Sequence, residues 1–214
     1  MSTTAERRHG PRLRADASRN RERIVAAARE AFVEHGADVT LDEIARRAGV
    51  GNATIYRHFA DRSELIRQVT LEVMNRTIEL AESALADEED AFEALRRFAY
   101  GATEERIGAL CPILSEDCEA LAAQLAEKRA RLERALQGIM DRARDSGLLR
   151  PDVASGDVMI AIAQLTRPLP GTTRVSLDRF VHRHLQLFLD GLRAPARSAL
   201  PGAAATFEDL RNDH

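Results

Sequence analysis

The chain has 214 residues, of which 44% are hydrophobic and 30% charged, and its formal net charge at pH 7 is −3. This composition is typical of a globular protein with one large or two small domains, and no apolar run reaches the roughly 20 residues that a membrane span needs. The first residues lack the apolar stretch of a secretory signal, and two cysteines are too few for a disulfide framework, so we expect a cytoplasmic protein.

The overall charge conceals a basic N-terminus. Residues 1–23 contain seven arginines and three acidic residues, a net charge of +4, which leaves −7 for the rest of the chain. Gly10-Pro11 is expected to interrupt any helix, and we predict a disordered basic arm over residues 1–18. A basic arm on an acidic body is typical of nucleic-acid contact, although a solvated tail has the same composition.

Helical spacing of apolar residues begins near residue 24. The positions on the apolar face are Ile24, Ala27, Ala28, Ala31 and Phe32. Gly36 ends this helix, because glycine adopts a positive φ without steric cost. A second helix begins after Thr40, and Thr40 and Glu43 have the spacing of a capping box, in which each side chain accepts a hydrogen bond from a free backbone N–H. Gly49 ends the second helix.

A third, short helix follows this turn and starts at Gly51 or Asn52. Ile55 and Phe59 are predicted to face inwards, and the side chains left facing outwards are Asn52, Ala53, Thr54, Tyr56, Arg57 and His58. No acidic residue occurs between positions 44 and 60, although acids are frequent elsewhere. A polar, acid-free helix suits the phosphate-lined major groove of DNA. The pattern predicts a DNA-binding helix-turn-helix over about residues 41–60.

The rest of the chain is also predicted to be helical. A fourth helix opens at Asp61 or Ser63, and further helices are expected over about residues 91–101, 117–146, 155–166 and 176–192. Pro112 and the segment 168–171 separate neighbouring helices. No strand or repeat is evident, so we predict an all-α protein with a DNA-binding domain over 19–66, a second helical domain over 67–193 and a disordered tail over 194–214.

The segment from Arg21 to Val69, and above all the run TLDEIARRAGVGNATIYRHF from Thr40 to Phe59, resembles the N-terminal domain of the TetR (tetracycline-repressor) family. Ala45, Gly49 and Ile55 stand where that domain has a small residue, a turn glycine and a buried β-branched residue, which favours it over an ordinary helical hairpin. The resemblance implies a three-helix DNA-binding domain and a helical domain that binds a ligand and dimerises. It also implies a sequence-specific transcriptional regulator, usually a repressor that a small molecule releases from its operator.

The resemblance also implies individual DNA contacts. These are phosphate contacts by Thr40, Tyr56 and Arg62, base contacts by Asn52, Thr54 and Arg57, and further contacts by Ala53, His58 and the arm arginines 12, 14, 19 and 21. Arginine pairs best with guanine and asparagine with adenine. Gly51 stands where the family more often has serine, so it is open whether Gly51 or Asn52 caps the third helix. If Asn52 is the cap, it is less free to read a base.

The C-terminal helices carry the predicted dimer interface. Their apolar residues repeat at three- and four-residue steps over a wide face, which either a second copy or the chain's own core must cover. The interface residues are Val158, Ile162, Leu165, Leu177, Phe180, Val181, His184, Leu185 and Phe188. Two-fold symmetry would place the third helices of the two copies, which we call the reading helices, in successive major grooves of operator DNA.

The resemblance places an unidentified small-molecule effector near Phe98, Cys111, Leu114, Leu136 and Met140, each of which could equally be ordinary core.

Other interpretations rest on weaker signals. Cys111 and Cys118 could form a redox switch, but no neighbouring Lys or Arg would activate a thiol. His182 and His184 point to different faces of one helix and cannot hold a metal by themselves, so we expect no metal and no cofactor. The usual nucleotide-binding, esterase and zinc-peptidase motifs are absent from the sequence, and we expect no enzyme. A ligand-independent or redox-responsive DNA-binding regulator, including an architectural DNA binder, remains the alternative.

Overall fold

A computed structural model describes residues 10–114, 122–167 and 174–210 of the chain. The described helices are α1 (Gly10–His35), α2 (Leu41–Ala48), α3 (Asn52–His58), α4 (Arg62–Asp87), α5 (Ala91–Glu104), α6 (Ile107–Leu114), α7 (Ala122–Asp145), α8 (Ser155–Thr166) and α9 (Arg174–Leu192). The predicted all-helical fold is confirmed. The chain divides at residue 70 into two units, Met1–Thr70 and Leu71–His214, so that α4 begins in the first unit and ends in the second. No helix of the described ranges is long and apolar enough to cross a membrane.

The first unit packs α1 against α2 and α2 against α3. Its core consists of buried apolar residues from each helix, among them Ile24, Ala28, Phe32, Ile44, Ala45, Ile55, Phe59 and Leu65. Gly49 has φ +64°, and its N–H donates to the carbonyls of the last turn of α2. This left-handed residue turns the chain sharply from α2 into α3, as the sequence predicted.

Helix α1 begins at Gly10, so the prediction of a disordered arm over residues 1–18 is wrong from residue 10 onwards. Pro11 falls in the first turn of the helix, where a missing N–H and a fixed φ are tolerated. Farther along α1, side chains one turn apart bond each other: Ser18 Oγ donates a 2.9 Å hydrogen bond to Oε1 of Glu22. Residues 1–9 and the side chains of Arg12 and Arg14 lie outside the described part of the chain.

The start of α2 shows half of the predicted capping box. Thr40 Oγ1 accepts a 3.2 Å hydrogen bond from the N–H of Glu43, as predicted. The Glu43 carboxylate, however, is held by Arg46, whose Nε and Nη2 donate to it at 3.0 and 2.6 Å. A bidentate guanidinium is the stronger partner, and its hydrogen bonds lower the pKa of Glu43.

The second unit has one continuous core that α5, α7, α8 and α9 surround. Its fully or almost fully buried members include Phe92, Leu95, Phe98, Leu136, Ile139, Met140, Val158, Ile162, Leu185 and Leu189. Helix α6 was not predicted, because Pro112 was interpreted as a break between helices and instead lies within α6. Helix α6 packs closely on α8, because a Cβ added to Gly108 would lie only 1.7 Å from the Ala163 carbonyl oxygen.

The segment after α9 contacts the rest of the second unit as far as Phe207, so the predicted disordered tail over 194–214 is wrong for residues 194–207. Its backbone groups have side-chain partners, since the Ser198 carbonyl accepts from Arg150 at 2.6 Å and the Ala205 N–H donates to Asp157 at 3.1 Å. Phe207 packs against the core. The Ala-, Pro- and Gly-rich composition of the segment gave no sign of these long-range partners. Residues 211–214 lie outside the described range.

Candidate nucleic-acid interface

The exposed face of α3 presents the side chains that the sequence predicted. Ile55 and Phe59 are each 1% exposed and face the core, whereas Asn52, Ala53, Tyr56 and Arg57 are exposed and Thr54 and His58 are partly exposed. Tyr56 is 57% exposed, although large aromatic residues are usually well covered. The helix therefore offers a polar surface with a tyrosine hydroxyl and an arginine side by side.

Arg57 carries a charge on this face that no carboxylate of the described residues neutralises. Its Nη2 donates a 3.2 Å hydrogen bond to the hydroxyl of Thr54, one turn earlier on α3. By contrast, the two arginines of α2 are paired: Arg46 with Glu43 and Arg47 with Glu34. These carboxylates raise the pKa of both α2 guanidinium groups and cancel their charge. Arg57 is thus the arginine of this motif best placed to meet an anion.

The capping question at the start of α3 is answered by the backbone. Gly51 is the N-cap, with φ −75° and ψ 149°, and its carbonyl accepts from the Thr54 N–H at 2.7 Å. Asn52 is the first residue of the helix and does not cap it. Its Nδ2 instead donates to Oδ1 of Asp42 on α2 at 2.7 Å. The serine that the family more often has at position 51 is replaced here without a substitute side-chain cap.

Thr40 and Arg62, two of the expected phosphate contacts, already have partners within the first unit. Thr40 is exposed and accepts from the Glu43 N–H, which leaves its hydroxyl proton to donate. Arg62 donates through Nη1 to the carbonyl of Val39, and its guanidinium carbon lies 5.2 Å from the centroid of the Phe32 ring. The Arg62 guanidinium therefore ties the start of α4 to the residue that precedes Thr40.

Two arginines of α1 support the motif in a way that sequence reasoning missed. Arg21 donates to the carbonyl of His58 at 3.0 Å and to Gln68 at 2.8 Å, and Arg23 donates to the carbonyl of Ala48 at 2.6 Å. These carbonyls stand at the C-terminal ends of α3 and α2, where backbone acceptors lack helical partners. Arg21, expected as part of a DNA-contacting arm, is thus occupied by the protein. Arg19 is paired with Asp16.

In the second unit, three of the five candidate pocket residues are fully buried core. Phe98, Leu136 and Met140 each have 0% exposure, and the side chains of Cys111 and Leu114 lie outside the described part of the chain, as does Cys118.

The histidine that the sequence analysis weighed as a metal ligand, His182, bonds Glu104 at 2.7 Å. In the described ranges, no group of three or more His, Cys, Asp or Glu residues lies together as a metal site would require.

The candidate interface residues divide into two sets. Val158, Ile162 and Leu185 have 0% exposure and belong to the chain's own core, because a side chain without accessible surface has none left to bury against a partner. Leu165, Val181 and Phe188 are partly exposed, Phe180 and His184 are exposed, and Leu177 lies outside the described side chains. Two further apolar residues of these helices are exposed: Ile160 on α8 (39%) and Leu187 on α9 (60%).

These features define a helix-turn-helix DNA-binding protein with a second, all-helical unit. Comparison with known proteins specifies it further. Residues 24–69 match the family model of bacterial regulatory proteins of the tetR family, and residues 88–194 match the C-terminal domain of SbtR-like transcriptional regulators. The chain belongs to the TetR family and is a DNA-binding transcriptional regulator, not an enzyme.

Solved structures support this membership over most of the chain. A TetR transcriptional regulator from Streptomyces coelicolor is 32% identical, with a TM-score of 0.62 over 82% of this chain and 99% of that one. A TetR regulatory protein from Mycobacterium vanbaalenii is also 32% identical, with a TM-score of 0.58 over 85% and 99%. The transcriptional regulator SrpR of Pseudomonas putida is 46% identical over 56 residues, which span only 26% of either chain.

Proposed function

We propose that the protein is a homodimeric repressor that binds a palindromic operator and leaves it when a small molecule binds the second unit. The observation that carries the proposal is the exposed, acid-free face of α3, where Arg57 has a neutral hydroxyl as its partner. A cation in this position can pair with guanine O6 and N7 in a major groove. The protein would act in the cytoplasm, where bacterial operators are.

The individual DNA contacts are those that the family resemblance implies, and the exposure and chemistry of the side chains support them. Arg57, Thr54 and Asn52 would face base edges, and the hydroxyls of Thr40 and Tyr56 would donate to phosphates. Ala53 and His58 would lie against the groove. Arg62, which bonds the Val39 carbonyl, would add a phosphate contact. Phosphate contacts would give salt-dependent affinity, and base contacts would give discrimination.

The second copy would dock on exposed apolar residues of α8 and α9. Phe180, His184 and Leu187 are spaced by four and three residues and share one side of α9, and Ile160 adds an exposed apolar side chain from α8. Together with the partly exposed Leu165, Val181 and Phe188, they form a surface that a symmetric interface would bury. Light scattering coupled to gel filtration at micromolar concentration should give twice the chain mass of 23.7 kDa. Leu187→Glu should give a monomer.

The effector would enter the core of the second unit near Phe98, Leu136 and Met140. Because these side chains are fully buried, a ligand there must open or displace core packing, which is a means of changing the spacing of the two reading helices. The same burial favours the alternative of a ligand-independent regulator. A metabolite panel tested for release of the protein from its selected operator discriminates the two. Release by one chemical class supports the repressor, and release by none supports the alternative.

A further inference from the structure

Asp42 and Asn52 are joined by a hydrogen bond on the exposed side of the helix-turn-helix, although they belong to different helices. Nδ2 of Asn52 donates to Oδ1 of Asp42 at 2.7 Å, and both residues are exposed. We propose that Asp42 is a specificity-determining residue, because it fixes the Asn52 amide so that the amide oxygen is presented to a base edge. The inference rests on the proposed function, in which Asn52 faces bases.

The chemistry of the two groups allows one orientation of the amide. An ionised carboxylate only accepts hydrogen bonds, whereas an amide has an NH₂ donor and an oxygen acceptor. If Oδ1 of Asn52 faced Asp42, two acceptors would oppose each other, so Nδ2 must face the carboxylate. Oδ1 and Nδ2 diverge from the same carbon, and Oδ1 is therefore turned away from Asp42. Without the carboxylate, the amide could rotate and present either group.

A fixed amide oxygen discriminates between bases. The groups that donate in the major groove are N6 of adenine and N4 of cytosine, whereas guanine O6 and thymine O4 are acceptors. Asn52 held by Asp42 therefore accepts from adenine or cytosine and opposes guanine or thymine. An amide free to rotate would also donate to guanine and thymine. The pair thus selects bases at one position per half-site.

The charge of Asp42 agrees with this role. Among the described residues no cation lies within ion-pairing distance of Asp42, whereas its neighbour Glu43 is paired with Arg46. A carboxylate without a counter-charge weakens binding to the phosphates of every sequence alike. Helix capping does not require it, because the Thr40 hydroxyl already accepts from the Glu43 N–H. The carboxylate therefore lowers the affinity for every sequence, and only the base preference that it sets raises the specificity ratio.

The test is a selection of preferred duplexes from a random pool with the full-length protein and a set of variants. Asn52→Ala should remove the adenine or cytosine preference at one position per half-site, a loss of about tenfold. Asp42→Asn, which keeps size and shape, and Asp42→Ala should each raise guanine and thymine at that same position by about threefold or more. The double variant Asp42→Ala/Asn52→Ala should match Asn52→Ala alone.

Asp38→Asn is the matched control, since Asp38 is an exposed acid of the same unit that is not bonded to Asn52. It should raise non-specific affinity as Asp42→Asn does, but leave every base ratio unchanged. If Asn52→Ala relaxes the position and neither Asp42 variant does, the inference fails and the proposed function stands. If the Asp42 variants relax a different position, Asp42 reads a base itself and the inference also fails. If Asn52→Ala changes no base ratio, Asn52 does not contact a base, and both that part of the proposed function and the inference fail.

Discussion

The guanidinium carbon of Arg21 lies 4.6 Å from the centroid of the Phe59 ring. Phe59 is the C-cap of α3 and is 1% exposed, so this contact joins α1 to the end of the reading helix at the edge of the core. The same guanidinium donates to the carbonyl of His58. The orientation of α3 is therefore set from both its ends: by the Gly49 turn and by Arg21.

Arg21→Ala should lower the free energy of unfolding of the first unit by about 1–3 kcal/mol, because the His58 carbonyl loses a charged donor and Phe59 loses its cation. Chemical unfolding followed by circular dichroism measures this change. Arg19→Ala is the control, since the contact of Arg19 among the described residues is an exposed one with Asp16, and its loss should cost less than about 0.5 kcal/mol. Equal stability of both variants would contradict a bracing role for Arg21.

Arg57→Ala should relax base preference at one position per half-site by about 1–3 kcal/mol, while the fold is retained because Arg57 is exposed. The measurement is a comparison of selected duplexes for the variant and the wild type. Arg46→Ala serves as the control, because that arginine is already paired with Glu43. An unchanged preferred operator with Arg57→Ala would remove Arg57 from the reading residues.

Arg62→Ala should weaken all DNA sequences alike and flatten the dependence of log affinity on log salt by about one unit per lost phosphate contact. It should also destabilise the first unit, because the Val39 carbonyl loses a donor and the Phe32 ring loses its cation. Arg62→Lys keeps the charge and should keep the salt slope. If Arg62→Ala leaves the slope unchanged, the guanidinium is structural and does not bind phosphate.

Gly156→Ala should displace the C-terminal segment, since the added Cβ would lie 2.4 Å from the carbonyl oxygen of Ala205. We expect a loss of about 1–3 kcal/mol in stability and faster tryptic cleavage after Arg197. Gly191→Ala is the matched control: apart from the backbone of its own helix, no atom of the described residues lies within 4 Å of a Cβ added to Gly191. The control should be neutral or slightly stabilising. Equal cleavage of both variants would contradict the packing of the segment on α8.

Acid should lower the stability of the second unit through protonation of Asp152. Hydrogen bonds from Arg150 lower the pKa of Asp152 from 3.8 to about 2. The folded state therefore binds the proton less tightly than the unfolded state, and the stabilisation is present above pH 3.8 and is lost as the pH falls towards 2. Asp152→Asn should reduce the fall in the unfolding midpoint across this interval. The control is Asp145→Asn, an exposed acid at the end of α7.

The sequence was sufficient to predict the helix-turn-helix because its determinants are local. The Thr40 cap, the Gly49 turn and the inward positions of Ile55 and Phe59 each depend on spacings of a few residues. The face of α3 follows from those positions. Which side chain bonds which partner does not follow: the hydrogen bond between Asn52 and Asp42 spans ten residues and depends on how α2 crosses α3.

The misjudged parts depend on contacts between residues far apart in the sequence. Arg21 bonds a carbonyl 37 positions away, and its arginine-rich surroundings in the sequence gave no sign of this contact within the protein. Helix α6 contains Pro112, a local signal against helix, yet packs closely on α8 through Gly108. Val158 and Ile162 were predicted for the interface but lie in the chain's own core, whereas Ile160 is exposed. All three are apolar, and periodicity alone did not decide which of them the chain covers itself.

The close approach of the Ala205 carbonyl to Gly156 leads us to expect that these two parts of the chain vary together among relatives. The SbtR-like domain match ends at residue 194, but the chain beyond it lies so close to Gly156 that no side chain fits there. Relatives that lack the C-terminal extension should therefore tolerate alanine or serine at the position of Gly156, and those that keep the extension should keep glycine. The presence of the segment after residue 194 in a relative should then be readable from the residue at the position of Gly156, in the first turn of α8.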